Sequence, residues 1–364
     1  MFIGIANHIV LMSSTFTSGI DEVKNRVNVH STHLSNAKAI EDPDAFRLAG
    51  YDNSFSLEDF QKNFTINVLS REKDTLIFEM IGVSAPIVNA LRRIFISDVP
   101  TLAIDTVVML QNTSIMQDEV LAHRLGLIPL LGDIDAFEYR LAGEELNEHN
   151  ATVFVLDVSC TENPGTKQTD PPHIRYKHST VYASDLVWVP QGTQAQRFED
   201  APIRPVFGDI PILKLRPGQT VQAELHVMKG TGRVHAKWSP VATAFYRQMP
   251  AITITEEMVG DDAKKLVETC PMNVFDIEDI GKKSKTVSKA VVRDPYNCTM
   301  CRECVRDPEL EKKVKLQRVR DHYIFTIESA GQLTPEDIFR RGIREFKTKL
   351  GLLYLETQKV QQDV

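Results

Sequence analysis

Hydrophobic positions along this chain switch between two periods, and the switches mark out the elements. From residue 63 to 81, NFTINVLSREKDTLIFEMI, Phe64, Ile66 and Val68 alternate with polar residues, and Leu76, Phe78 and Met80 do so again. Arg71 to Asp74 is a polar turn between them, so the pattern predicts a β-hairpin with one buried face. The period then lengthens. Ser84 is placed to cap a helix, and Pro86 suits its first turn because the missing N–H has no helical partner there. Ile87, Leu91, Ile94 and Phe95 fall on one face of that helix. Val99-Pro100 ends it, since the residue before a proline is pushed out of the α region. After an extended segment, Asp118 and Glu119 open a second helix at the positive end of its dipole. Gly126 and Pro129 stop it.

The plan recurs near the other end. Val314, Leu316 and Val319 lead into Arg320-Asp321-His322, a turn candidate, and Tyr323, Phe325 and Ile327 alternate beyond it. Thr334-Pro335-Glu336-Asp337 is a helix start, with a hydroxyl cap, a proline in the first turn and an acid behind it. Phe339, Ile343, Phe346, Leu350 and Leu353 then make a coiled-coil-like seam, with Arg340, Arg341, Arg344, Lys347 and Lys349 off it. An isolated hairpin is marginal. The two hairpin-and-helix units are therefore expected to share one discontinuous domain, residues 61–103 and 313–364. Between them, 104–258 is β-rich, with strands expected at 153–158, 180–188, 220–228 and 252–258. The stretch 230–250 is compact and apolar without clean periodicity, and 190–217 is loop-like. Residues 261–269 predict a short helix leading to Cys270, within a cysteine-containing segment, 259–312. Residues 1–60, rich in Ser, Thr, Asn, Asp and His, read as an irregular arm. The fold class is α+β.

Composition changes this picture little. Hydrophobic residues are 42% and charged residues 25%, ordinary for a globular protein. The net charge of −7 argues against a chain that binds nucleic acid along its length. The basic runs Gly281 to Lys285 and Lys312 to Arg320 read as solvated faces. No apolar run approaches a membrane span. Residues 1–12, MFIGIANHIVLM, are apolar but lack a basic flank and are interrupted by Asn7 and His8, so no cleaved signal is expected. Five cysteines, three of them within CTMCREC at 298–304, suit metal ligation in a reducing compartment better than disulfides.

That stretch is the one constellation with ligand spacing. Cys298, Cys301 and Cys304 supply three corners of an iron–sulfur cubane, and Cys270, followed by Pro271, is the only plausible fourth. Zinc is the rival, and an empty quartet the third reading. A single quartet excludes a two-cluster relay. Gly230-Thr231-Gly232 lacks the third glycine and following helix of a phosphate loop. His235 and Trp238 read as packing residues, and no catalytic residue is assigned.

The blocks NALRRIFISDVPTLAID, QDEVLAHRLGLIPL, VHAKWSPVATAFY and YIFTIESAGQLTPEDIFRRGI resemble the α-like assembly subunits of cellular RNA polymerases, the family of bacterial α and archaeal D. The resemblance runs from about residue 60 to the end. NTSIMQDEVLAHRLGLIPL and VLSREKDTLIFEMIGV look most like the branch shared by polymerases I and III, with the polymerase II paralogue as rival. The resemblance implies a split dimerisation domain that pairs with a smaller α-like subunit, an inserted β-rich domain, and a small ferredoxin-like cysteine segment. It implies a dimer interface at Ile87, Leu91, Ile94, Phe95, Phe339, Ile343, Phe346, Leu350 and Leu353. Arg92 and Arg93 become candidates for contacts with the large subunits. Cys270, Cys298, Cys301 and Cys304 match the family's quartet, the seat of one 4Fe–4S cluster in some members and lost in many. The implied role is non-catalytic: assembly of polymerases I and III, for rRNA, 5S rRNA and tRNA synthesis. The implied setting is the nucleus, including the nucleolus, beside the large subunits and the small shared subunits. No membrane and no direct sequence-specific contact with nucleic acid are expected. A reading of another class is an iron–sulfur redox protein that uses the quartet.

Overall fold

The computed structural model describes residues 22, 24–37, 54–141, 143–167, 169–280 and 287–362. The apolar residues 1–12 and the basic run 281–285 lie outside them. The elements that carry the α+β fold are, in chain order, β1 (Arg26–Val29), β2 (Leu34–Ser35), α1 (Leu57–Asn63), β3 (Thr65–Arg71), β4 (Thr75–Ile81), α2 (Ala85–Ser97), β5 (Pro100–Asn112), α3 (Asp118–Gly126), β6 (Ala151–Ser159), β7 (Val187–Val189), β8 (Thr220–Thr231), β9 (Val241–Ile254), α4 (Asp261–Thr269), β10 (Phe275–Ile280), β11 (Val287–Val292), β12 (Val314–Ser329) and α5 (Pro335–Gln362). They gather into two compact units. One draws on Met1–Leu69, Ile77–Val88 and Tyr246–Phe325, the other on Ser70–Leu76, Asn89–Phe245 and Thr326–Val364.

The first unit is built on a sheet of order β2-β1-β12-β4-β3, with β9 also paired to β12. Phe78 and Phe325 stack with centroids 5.2 Å apart, and Tyr246 meets Tyr323 edge-on at 5.5 Å. Two differences from the sequence pattern stand out. The hairpin of β3 and β4 has its buried face on β4 alone: Leu76, Phe78 and Met80 are buried, whereas Ile66 and Val68 on the outer strand β3 are exposed. The turn expected at Arg320-Asp321-His322 does not occur, and β12 runs straight through it. The polar triplet is used across the sheet. The Asp321 carbonyl accepts from the amides of Gly82, at 2.8 Å, and Val83, at 3.4 Å. Gly82 has φ +73°, and a Cβ there would stand 2.5 Å from the Asn63 carbonyl oxygen, so this corner needs glycine.

Part of the segment expected as an irregular arm also joins this sheet. β1 pairs antiparallel with β12, placing Val29 opposite Leu316, and Gln317 donates to the Asn28 side chain at 2.6 Å. A second core forms where α4 and the β10–β11 hairpin meet the sheet. It contains Val29, Leu266, Phe275, Cys304, Leu310 and Leu316. The helix predicted at 261–269 is α4.

The second unit contains a sheet of order β7-β6-β8-β5. Its core joins Leu102 and Ile104 of β5, Leu121 and Leu125 of α3, Phe154 and Leu156 of β6, and Leu225 and Val227 of β8. The strand expected at 180–188 is broken. Ala183–Asp185 is a 3-10 turn, held by the Asp185 carboxylate accepting from the Tyr182 amide at 2.8 Å. Gln194 is fully buried yet satisfied: it accepts from Thr152 Oγ1 at 2.9 Å and donates to the carbonyls of Glu148 and Ala151, each at 2.8 Å. Trp238 donates to the Met228 carbonyl at 3.1 Å, as a packing residue would. The compact stretch 230–250 becomes the end of β8, a 3-10 turn and the start of β9.

Candidate dimerisation surface and cysteine quartet

The sequence builds α5 with local signals. Thr334 Oγ1 accepts from the Asp337 amide at 3.2 Å and donates to the Asp337 carboxylate at 2.8 Å, closing the first turn. The early part of the helix is packed. Gly342 sits against the Phe95 ring so closely that an added Cβ would lie 2.2 Å from Cε1, and Phe339 meets Phe95 at 6.0 Å. Arg341 holds Asp135 in a bidentate pair, both contacts at 2.7 Å, and that guanidinium keeps the Asp135 carboxyl below the usual carboxylate range. Lys349 and Arg233 both reach Asp98.

Beyond this packed part the helix is bare. Ile343 is 40% exposed, Leu350 51% and Leu353 64%, and Leu352, Tyr354, Leu355 and Val360 are exposed with them. Phe339 and Phe346 are half-buried, as is Ile87 on α2. Leu91, Ile94 and Phe95 are not at the surface of this chain but inside its own core. Arg92 is half-buried and donates to the Asn89 side chain at 3.1 and 3.0 Å, while Arg93 is exposed. The nine residues singled out for an interface thus divide into an exposed seam, a half-buried margin and a buried backing.

Four cysteines line one small pocket with Ile252, Met272, Val274, Phe275, Thr299, Arg302 and Leu316. Cys270 ends α4, its amide reaching back to the Val267 carbonyl. Cys298 follows the 3-10 turn Pro295–Asn297, whose cap Asp294 accepts from the Tyr296 amide at 3.1 Å. Met300 and Arg302 take left-handed φ values of 60° and 70°, curling the loop so that the Met300 amide lies 3.5 Å from Cys298 Sγ. Burial pushes the Cys304 thiol up to about 12, with the charges of Cys298, Cys301 and Cys270 adding to it, and burial also raises Cys298.

The donor set has the softness that iron–sulfur or zinc chemistry needs, and the four thiols line one pocket without converging on a single point. Among the described residues no three His, Cys, Asp or Glu side chains converge where they could hold a metal ion. The cavity among the cysteines is about 10 Å³, room for roughly one water molecule and too little for a cubane.

One cluster had no signal in the sequence pattern. Glu79 on β4 is buried and accepts from Asn67 Nδ2 at 2.9 Å and Tyr296 Oη at 2.9 Å, with His322 Nε2 at 2.8 Å. Burial works to raise its pKa, but the hydrogen bonds from Asn67, His322 and Tyr296 outweigh it and hold the carboxyl below its ordinary value. The partners stand up to 243 residues away, so no local motif could have disclosed them.

A family model described as the RNA polymerase Rpb3/Rpb11 dimerisation domain matches residues 77–350. The subunit rpac1 of DNA-directed RNA polymerases I and III from Dictyostelium discoideum is 43% identical over 351 residues, which is 94% of this chain and 97% of the relative. The corresponding RPAC1 subunit of Mus musculus is 42% identical over 347 residues, 94% of this chain and 98% of the relative. The rpb3 subunit of RNA polymerase II from Dictyostelium discoideum is 32% identical over 295 residues, 78% and 92% of the two chains. With a dimerisation model spanning both α2 and most of α5, and relatives matched almost end to end, the chain belongs to the α-like subunit family of RNA polymerases, on the branch shared by polymerases I and III.

Proposed function

We propose that this chain is a non-catalytic assembly subunit of RNA polymerases I and III, working by surface burial against a smaller α-like subunit. The observation that carries the reading is the exposed apolar run of α5, led by Ile343, Leu350 and Leu353. Fully burying one such side chain is worth about 1.5–3 kcal/mol, and an obligate interface covers more than about 2,000 Å². In this reading Ile87, Phe339 and Phe346 form the margin of the interface. Leu91, Ile94 and Phe95 set its shape from beneath.

The heterodimer then seeds assembly of the two large subunits, with Arg92 and Arg93 as contacts, and the small shared subunits join them. The product is a nuclear enzyme, in the nucleolus for rRNA and outside it for 5S rRNA and tRNA. The dimerisation domain is assigned to 61–103 and 313–364, the inserted domain to 104–258, a ferredoxin-like segment to 259–312 and an arm to 1–60, whose β1 and β2 are docked on the sheet. No step of this function runs through a metal. On Cys270, Cys298, Cys301 and Cys304 a 4Fe–4S cluster requires the 298–304 loop to open and a zinc ion requires the thiols to draw together, and iron, zinc and sulfide content after anaerobic purification tests both.

Mass spectrometry of the complex purified through this chain tests the main reading. Large subunits of polymerases I and III together are expected. Those of polymerase II alone, or a soluble monomer at micromolar concentration, would overturn it.

A further inference from the structure

The loop that carries Cys298, Cys301 and Cys304 is fastened at Tyr296 by contacts that use none of the thiols. Tyr296, two residues before Cys298, sends its hydroxyl to the buried Glu79 carboxylate at 2.9 Å. Its carbonyl accepts from Arg247 Nη2 at 2.6 Å. Glu79, 7% exposed, is braced in turn by Asn67 and His322. Among the described residues Arg247 Nη1 is buried with no hydrogen-bond partner, and Nη2 spends its hydrogen bond on the Tyr296 carbonyl. The two strands behind the pocket do double duty. β9 supplies Arg247 as anchor and Ile252 as pocket wall, and β12 supplies His322 and Leu316. Cys304 meanwhile packs as an apolar residue beside Phe275, Val305 and Leu316.

We propose that Tyr296, gripped by Glu79 and Arg247, is a latch that seats the cysteine loop on the sheet whether or not the quartet carries a metal. Small cysteine-ligated segments commonly fold only when metal binds. Here a half-buried, charge-assisted hydrogen bond and a packed thiol take over that role, and Tyr296 is the positioning residue. The inference is independent of the polymerase reading, because it concerns the loop within this chain.

Hydrogen exchange read by mass spectrometry, on the complex purified through the full chain, tests it. The arms are the wild type, the wild type after chelation, Cys301→Ser at the exposed cysteine, Tyr296→Phe and Arg247→Gln. Chelation and Cys301→Ser are expected to leave exchange at residues 294–304 unchanged. Tyr296→Phe and Arg247→Gln are expected to raise it about tenfold, the factor for losing one hydrogen bond to a charged group, while the amides of β8 stay as protected as before. Release of the loop by chelation or Cys301→Ser, with Tyr296→Phe silent, would overturn the proposal. So would a loss of protection throughout the chain in Tyr296→Phe, since a latch acts on the segment it holds.

Discussion

Gly342→Ala is expected to destabilise this chain, although the same change inside a helix ordinarily stabilises by about 1 kcal/mol. The added methyl would lie 2.2 Å from Cε1 and 2.4 Å from Cδ1 of Phe95. Carbon atoms in contact prefer about 3.5–4.0 Å, so the overlap exceeds an ångström. Phe95 is fully buried and packed beside Phe339, so its ring has no solvent to swing into. Either the ring leaves its rotamer or α5 lifts off α2. Overpacking of this kind costs about 1–3 kcal/mol, which leaves a net loss of roughly 1 kcal/mol once the helix-propensity gain is subtracted. Gly351, on the same helix, supplies the control: among the described residues nothing lies within 4 Å of its added Cβ. Gly351→Ala is therefore expected to stabilise by up to about 1 kcal/mol. The assay is the urea midpoint of each variant in complex with its partner, at one fixed concentration. Pairing Gly342→Ala with Phe95→Leu adds a coupling test, in which the smaller side chain should relieve the alanine by about 1 kcal/mol. If both glycine variants raise the midpoint alike, the close packing of α5 on α2 is refuted.

Other outcomes follow from the same geometry. Leu350→Asp with Leu353→Asp should abolish co-purification of the partner subunit, since each lost side chain removes about 1.5–3 kcal/mol of burial, while the circular dichroism of the chain is unchanged; retained pairing would remove α5 from the interface. Arg341→Gln should cost about 0.5–1 kcal/mol, discounted because Asp135 is 58% exposed. The sign follows from the depressed Asp135 carboxyl: the contribution is complete above the ordinary carboxylate pKa of about 3.9 and lost as pH falls through the folded value. The variant should therefore lose less stability than the wild type on acidification below about pH 4, as urea midpoints across pH would report. Glu79→Ala strips three groups of their acceptor and should cost about 2 kcal/mol or more, read as a lowered melting temperature, again with less acid sensitivity than the wild type because the Glu79 carboxyl is also held down.

What the sequence disclosed is what local chemistry decides. The cap of α5 lies within a few residues of the turn it closes, so Thr334 and Asp337 announce a helix without help from the rest of the chain. The Arg320-Asp321-His322 triplet misleads because polarity alone looks like a turn. Its partners, the Gly82 amide and the Glu79 carboxylate, are far away in sequence, and only the sheet brings them together. Glu79 is concealed for the same reason: between Phe78 and Met80 the alternation puts it on the water side, yet the Tyr296 segment covers that side. For Leu91, Ile94 and Phe95 the period reveals an apolar stripe but not what covers it, and in this chain the cover is its own core. The quartet's spacing is plain, but convergence of its thiols depends on how the β10–β11 hairpin between Cys270 and Cys298 positions the two ends. Spacing says nothing of that.

The neighbouring of β4 and β12 in one sheet has a consequence for how the protein is made. The His322 that reaches Glu79 is 243 residues further along the chain. At about 5–20 residues per second, the ribosome needs roughly 12 to 50 s to deliver it. Throughout that interval Leu76, Phe78 and Met80 are already synthesised and lack the strand that will flank them. A nascent chain in that state is an open template for pairing with its neighbours. The cell must shield it, or translate it sparingly, before the partner subunit has anything complete to bind.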